Sequence, residues 1–263
     1  MKPNPSTNPQ SLSTITTVIL DWAGTTIDYG SFAPVEAFLT AFGSVGLHPS
    51  VDEVRAYMGM QKRAHIAKML EPYPHQPEDV DTIYARFEPA LFDVLELYTD
   101  PLPGVITTVG ELGEMGLSVG STTGYTQAMM DVVLPLAKKK GYAPDCLVCP
   151  DDVGNTGRPF PYMLWRNLEK LGTRCISEVI KVGDTIADIQ EGNNAGCLSV
   201  GVLEGSSVVG LTSSEVAQLG PGDLLPVFTK AEQLFFEAGA DYVLRNITEL
   251  PSLITSLHQS LEA

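Results

Sequence analysis

Thr17-Val18-Ile19-Leu20-Asp21-Trp22-Ala23-Gly24-Thr25-Thr26 joins a short apolar run to a carboxylate and then to a glycine-hydroxyl turn. The run is too short for a helix and shows no polar alternation, so Thr16–Leu20 reads as a strand buried on both faces. Downstream, Leu117–Ser121, Cys146–Cys149, Val179–Val182, Leu198–Val202 and Tyr242–Leu244 read the same way. Helical spacing fills the intervals at Val105–Met115, Gln127–Lys140, Tyr162–Leu171, Ile186–Asn194 and Ala231–Ala238, and again at Leu253–Leu261. Strands alternating with helices of this length predict an α/β fold: a doubly wound parallel sheet covered on both faces.

One segment breaks the alternation. From Ser31 to Asp100 no strand pattern occurs. Phe32, Val35, Phe38, Leu39 and Phe42 follow helical spacing, as do Val51, Val54, Tyr57 and Met58, and a further helix is expected from about Val80 to Leu97. Residues 31–100 are therefore expected to form an all-helical cap domain inserted into a core made of 14–30 and 101–263, with hinges at Asp28–Gly30 and Tyr98–Gly104. Residues 1–13, polar and proline-rich, read as a loose tail.

Among 263 residues, 16 Lys+Arg stand against 32 Asp+Glu, a formal charge of −16. Phosphate neutralisation needs a basic surface, so nucleic acid and anionic membranes are excluded as expected partners. No run approaches the length of a membrane span, no signal-peptide core is present, and a cytoplasmic protein is expected. The four cysteines suit a reducing compartment. Cys146 and Cys149 lie in one predicted strand, where positions i and i+3 face opposite ways, so they read as structural thiols.

In open parallel sheets, ligands bind at the carboxyl ends of the strands. The first strand ends at Asp21, the second in Ser121-Thr122-Thr123-Gly124, and the fourth at Gly183-Asp184, with Asp188 one helical turn further on. Any one of these carboxylates alone reads as a helix N-cap. Gathered together they repel one another unless a cation joins them, and hard oxygen ligands beside an anion site point to Mg²⁺.

These segments resemble the haloacid dehalogenase superfamily: Thr17–Thr26 its first motif, Ser121–Gly124 its second, and Val182-Gly183-Asp184-Thr185 with Asp188 its acidic fourth. The resemblance implies that Asp21 is a nucleophile attacking phosphorus. It also implies that Asp21, the Ala23 carbonyl and Asp184 hold Mg²⁺, with Asp188 nearby. Phosphate-ester hydrolases of the superfamily usually carry an aspartic acid two residues after the nucleophile, as proton donor to the leaving group. Here that residue is Ala23, which donates nothing.

The insert carries an unusual lysine. If one helix runs through Met58, Lys62 falls at about 40° and His65 at about −20° from it, inside the apolar stripe. Burial there, with Arg63 beside it, favours a neutral amine, and a restart of the helix at Gly59 acts in the same direction. A neutral amine can form an imine with a carbonyl. Spacing alone favours a buried stem with its ammonium in solvent.

Asp21–Thr26 with Ala23, Met58-Gly59-x-x-Lys62-x-x-His65, Ser121–Thr126, Pro150–Pro159 and Lys181–Asp188 together resemble the phosphonoacetaldehyde hydrolase family, a likeness running from about Val18 to Leu250. It implies an imine at Lys62 that accepts the electrons of a breaking C–P bond while Asp21 takes the phosphoryl group. Arg158, Thr123 and the Gly124 amide would bind the phosphonate. His65 and Tyr125 would position groups or move protons, Met58 would pack on the enamine, and a homodimer would form through the cap. Two readings remain beside it: a small-molecule phosphomonoesterase, and a non-catalytic phospho-ligand module. Arg158 could also be a helix-start surface residue, and His65 a core histidine.

Overall fold

The structure is a computed structural model and describes residues 2–4 and 14–262. Seven strands form one sheet: β1 (Lys2–Pro3), β2 (Thr17–Leu20), β3 (Ser118–Thr122), β4 (Cys146–Val148), β5 (Val179–Gly183), β6 (Leu198–Val202) and β7 (Tyr242–Leu244). Their order is β1-β7-β6-β5-β2-β3-β4. The pairings from β7 through β4 are parallel, and β1 lies antiparallel against β7 at the edge. The six strands expected from sequence all form. The tail differs from its expectation in part, since Lys2–Pro3 pairs with the sheet and Asn4 donates to the Ala240 carbonyl at 2.8 Å. Residues 5–13 lie outside the described residues.

β2 is central, and its four residues are all buried. From it the chain builds outward to β3 and β4 on one side and β5, β6 and β7 on the other, which makes the end of β2 the switch point where such sheets bind ligands. Leu20 pairs in register with Ser121 on β3 and Val182 on β5. The next residues along, Asp21, Thr122 and Gly183, therefore emerge level with one another.

Residues 31–100, between β2 and β3, carry four helices: α1 (Phe32–Gly43), α2 (Val51–Arg55), α3 (Lys62–Leu70) and α4 (Pro77–Leu95). α4 packs along α1 and α3, with Phe38 stacked on Phe87 at 4.3 Å between centroids. Phe38 and Phe42 belong to the same buried apolar cluster as Val18 and Leu20. The two connectors run side by side where Ile27 pairs with Pro101 and the Leu102 amide donates to Thr26 O at 2.9 Å.

Of the two expectations for the stretch from Met58 to Lys62, one continuous helix or a restart at Gly59, the restart is the one that forms. Gly59, at φ +83°, separates α2 from α3, so a wheel continued through Met58 does not apply and Lys62 is the first residue of α3. A Cβ at Gly59 would stand 2.2 Å from Thr185 Oγ1. The break is thus tied to close packing of the insert on the end of β5.

The remaining helices are α5 (Val105–Glu114), α6 (Gln127–Lys139), α7 (Tyr162–Leu171), α8 (Ile186–Ala195), α9 (Ser213–Gln218), α10 (Pro221–Glu237) and α11 (Leu250–Glu262). α10 starts ten residues before its expected Ala231 and contains Pro226. Burial of Leu224 and Phe228 in the cluster around Phe235 outweighs the proline. No helix of the described residues is long and apolar enough to cross a membrane.

Candidate active site

Asp21, Ala23, Met58, Lys62, Thr123, Gly124, Tyr125 and Arg158 line one tight cavity between the insert and the carboxyl end of the sheet. Strand-end reading and the cap motif thus converge on a single chamber, whose wall also includes Ser31, Pro34, Gly59 and Thr185.

The floor is anionic. Asp21, Asp184 and Asp188 are buried and present ligand oxygens within 4.8 Å of one another. Burial first, then repulsion from Asp21 and Asp188, pushes the Asp184 carboxyl well above its usual range. Asp184 Oδ1 accepts from Thr25 Oγ1 at 3.2 Å, and Oδ2 accepts from the Ser207 amide at 2.8 Å. Gly24 lets the loop approach, because a Cβ there would meet Asp184 Oδ2 at 2.2 Å. Asp188 is different. Burial alone would raise its pKa, but Arg158 and Lys181 hold it below the ordinary carboxylate value. It also closes a capping box with Thr185 at the start of α8. Two buried cations, Arg158 and Lys181, stand among the four carboxylates Asp21, Asp184, Asp188 and Glu191, which leaves an excess of acidic groups around Asp21 and Asp184. A hard divalent cation such as Mg²⁺ fits that donor set.

Arg158 is 3% exposed, so it is no surface residue. Its Nη2 donates to Asp21 Oδ1 and to Thr122 Oγ1, both at 2.7 Å, and its Nε donates to Glu191 Oε2 at 2.9 Å. Burial would lower its pKa, yet Asp188, Asp21 and Glu191 raise it instead.

Lys62 is 3% exposed. Its Nζ lies 5.1 Å from the Tyr125 ring centroid and 5.8 Å from that of Phe38. Burial pushes the amine down from 10.5 to about 8; Asp21 opposes the shift and Arg158 assists it. Behind it, His65 is fully buried and packs on Phe38 at 4.1 Å. His65 Nε2 lies 2.9 Å from Val54 O, which can only accept, so that nitrogen carries the hydrogen. Nδ1 is then an acceptor, buried and without a hydrogen-bond partner. Burial, then Lys62, holds the imidazole well below its usual pKa and therefore neutral. His65 does not line the cavity; it backs the lysine.

Sequence reading missed the supports. Lys181, Glu191 and Thr122 lie beneath Arg158 and are fully buried. Arg55 Nη1 donates to Gly30 O at 2.8 Å and Ser207 O at 2.9 Å, tying α2 to the loop that holds Asp184. A charge inside the apolar strand Val179-Ile180-Lys181-Val182 was the available signal for the first group. For Arg55 there was none.

The haloacid dehalogenase-like hydrolase model matches residues 15–196. A phosphonoacetaldehyde hydrolase of Bacteroides fragilis is 46% identical over 256 residues, covering 93% of this chain and 97% of its own. A bifunctional phosphonoacetaldehyde hydrolase/aminoethylphosphonate transaminase of Clostridioides difficile is 44% identical over 92% of this chain, which spans 40% of that longer protein. The crystal structure of a phosphonoacetaldehyde hydrolase-like protein from Oleispira antarctica superposes with a TM-score of 0.91 at 34% identity, covering 97% of both chains. The chain belongs to the phosphonoacetaldehyde hydrolase family of haloacid dehalogenase-like hydrolases.

Proposed function

We infer that this chain hydrolyses phosphonoacetaldehyde to acetaldehyde and phosphate, with residues 31–100 acting as a cap over a catalytic core. The observation that carries the reading is one cavity lined by a buried lysine, a strand-end aspartate and an arginine, with Ala23 where an ester hydrolase would keep its acid.

The Lys62 amine adds to the aldehyde carbon, and loss of water leaves a protonated imine. Arg158, Thr123 and the Gly124 amide hold the phosphonate oxygens. An Asp21 oxygen then bonds to phosphorus as the C–P bond breaks. The electron pair of that bond moves into the imine to give an enamine, so no carbanion forms and no acid is needed at position 23. Protonation of the enamine carbon restores the imine, and one water releases acetaldehyde and Lys62. A second water cleaves the aspartyl-phosphate to phosphate and free Asp21. Asp21, the Ala23 carbonyl and Asp184 would hold Mg²⁺ with Asp188 nearby; the ion supplies positive charge to the phosphoryl oxygens. Neutral His65 keeps a basic nitrogen behind Lys62, and Met58 gives the two-carbon fragment an apolar wall.

The same reading includes a cytoplasmic location and a homodimer through the cap, where Val45, Val51 and Leu97 are exposed apolar side chains; sedimentation with and without Leu97→Glu tests the dimer.

The test is turnover of phosphonoacetaldehyde with Mg²⁺, following both products, beside p-nitrophenyl phosphate. Equimolar acetaldehyde and phosphate are expected, with slow ester hydrolysis. Ester turnover without phosphonate turnover would mark a phosphomonoesterase, and no turnover of either a binding module.

A further inference from the structure

Arg158 meets three carboxylates at once, and only one of them faces the cavity. Nη2 reaches Asp21 at 2.7 Å, Nη1 lies 3.1 Å from Asp188 Oδ1, and Nε bonds Glu191 Oε2 at 2.9 Å. Nη1 is buried and has no well-directed hydrogen bond of its own. Of the three guanidinium nitrogens it alone lacks one. An unrestrained arginine would turn its Nη1–Nη2 edge onto Asp21 as a two-bond fork, the preferred geometry for such a pair. That arrangement would fill the phosphonate position and tie down both oxygens of the nucleophile.

We propose that Glu191, with Thr122 and Lys181, is a positioning set that pins Arg158 by its Nε so that it meets Asp21 through a single nitrogen and keeps Nη1 for the substrate's phosphonate. None of the three lines the cavity. Thr122 acts as the pivot. Its hydroxyl donates to Glu191 Oε2 at 3.0 Å and accepts from Arg158 Nη2 at 2.7 Å and Lys181 Nζ at 2.9 Å. One donor and two acceptor sites are all a hydroxyl has, so its rotor is fixed and Glu191 is aimed. Lys181 Nζ stands 2.9 Å from Asp188 Oδ1 and 3.4 Å from Glu191 Oε2. It answers the charge that Glu191 brings, so the brace does not draw Arg158 away from the cavity. Lys181, Asp188 and Glu191 are all fully buried, which is costly for charges without partners and explains why they occur as a set.

The inference rests on the hydrolase reading and predicts a split between the two halves of the reaction. Wild type, Glu191→Gln and Thr122→Val would be compared by three measurements: phosphonoacetaldehyde turnover with Mg²⁺, inhibition by inorganic phosphate, and borohydride trapping of Lys62 with acetaldehyde, which has no phosphonate. For Glu191→Gln, kcat should fall about tenfold or more and the phosphate inhibition constant should rise by about as much, with trapping unchanged. Thr122→Val should shift both in the same direction by several-fold, and Thr122→Ser should restore them. If Glu191→Gln does not fold, the threonine pair decides. Phosphate inhibition and kcat within about twofold of wild type would overturn the proposal, as would trapping lost in step with turnover, the mark of a general structural role. Wild type that never turns over phosphonoacetaldehyde would instead remove the hydrolase reading itself.

Discussion

Lys62, on the helical insert, holds its amine 5.1 Å from the ring centroid of Tyr125, on the loop that follows β3. An aromatic face attracts an ammonium, and Asp21 favours the charged form as well. Burial outweighs both, because the cavity offers too little water to hydrate a cation. The seam between insert and sheet therefore favours the neutral amine, the form able to attack a carbonyl.

This sets a pH dependence. With the amine lowered from 10.5 to about 8, it is neutral above that pH and charged below it. At pH 7 about one molecule in ten is reactive, against about one in three thousand for an ordinary lysine. Imine formation with acetaldehyde, followed by trapping rate, should climb nearly tenfold per pH unit below about 8 and level off above it. A climb continuing towards 10.5 would contradict the assignment.

The two halves of the site should separate chemically. Asp21→Asn should reduce phosphate release by at least about 10⁴-fold while Lys62 still forms its imine. Stripping divalent metal with a chelator should also stop phosphate release, and Mg²⁺ should restore it. Simultaneous loss of imine formation in either experiment would argue against two separable centres.

Closure of the insert should depend on Gly59. Its φ of +83° and the 2.2 Å approach of a Cβ to Thr185 Oγ1 both oppose a side chain. The left-handed backbone alone costs about 1–2 kcal/mol in a non-glycine residue. Gly59→Ala should lower kcat/KM about tenfold while melting only a few degrees earlier, which steady-state kinetics and calorimetry would read.

Arg55 should link the insert to the metal site. It donates to Ser207 O, and the Ser207 amide donates to Asp184 Oδ2. Arg55→Met should raise the Mg²⁺ concentration for half-maximal turnover by about threefold to tenfold, with Arg55→Lys in between, in a titration of activity against Mg²⁺. An unchanged midpoint would confine Arg55 to holding the hinge.

Asp21, Thr123, Gly124 and Asp184 were legible because strand ends in a parallel sheet share one edge, so a residue's place in its segment gives its place in the site. Lys62 was legible as a cation in an apolar pattern and Gly59 as a point of restart; the helix does begin at Lys62 itself, with Gly59 packed closely on Thr185. Local pattern flags Lys181 as a charge in an apolar strand but could not reveal its meeting with Glu191 and Thr122, since the three lie on β5, α8 and β3 and come together only after the sheet forms. β1 was hidden for a related reason: Lys2–Pro3 is placed by pairing with β7, without an apolar signature of its own. α9 carried a readable capping box, Thr212 with Glu215, within a stretch too short for helical periodicity.

The most direct measurement is borohydride reduction of the protein with phosphonoacetaldehyde, followed by peptide mapping. The mechanism predicts a single reduced two-carbon adduct on Lys62, absent from Lys62→Arg, whose turnover should fall by at least about 10³-fold. Turnover of phosphonoacetaldehyde with Lys62 unmodified, or an adduct located on Lys181 or a surface lysine, would contradict it.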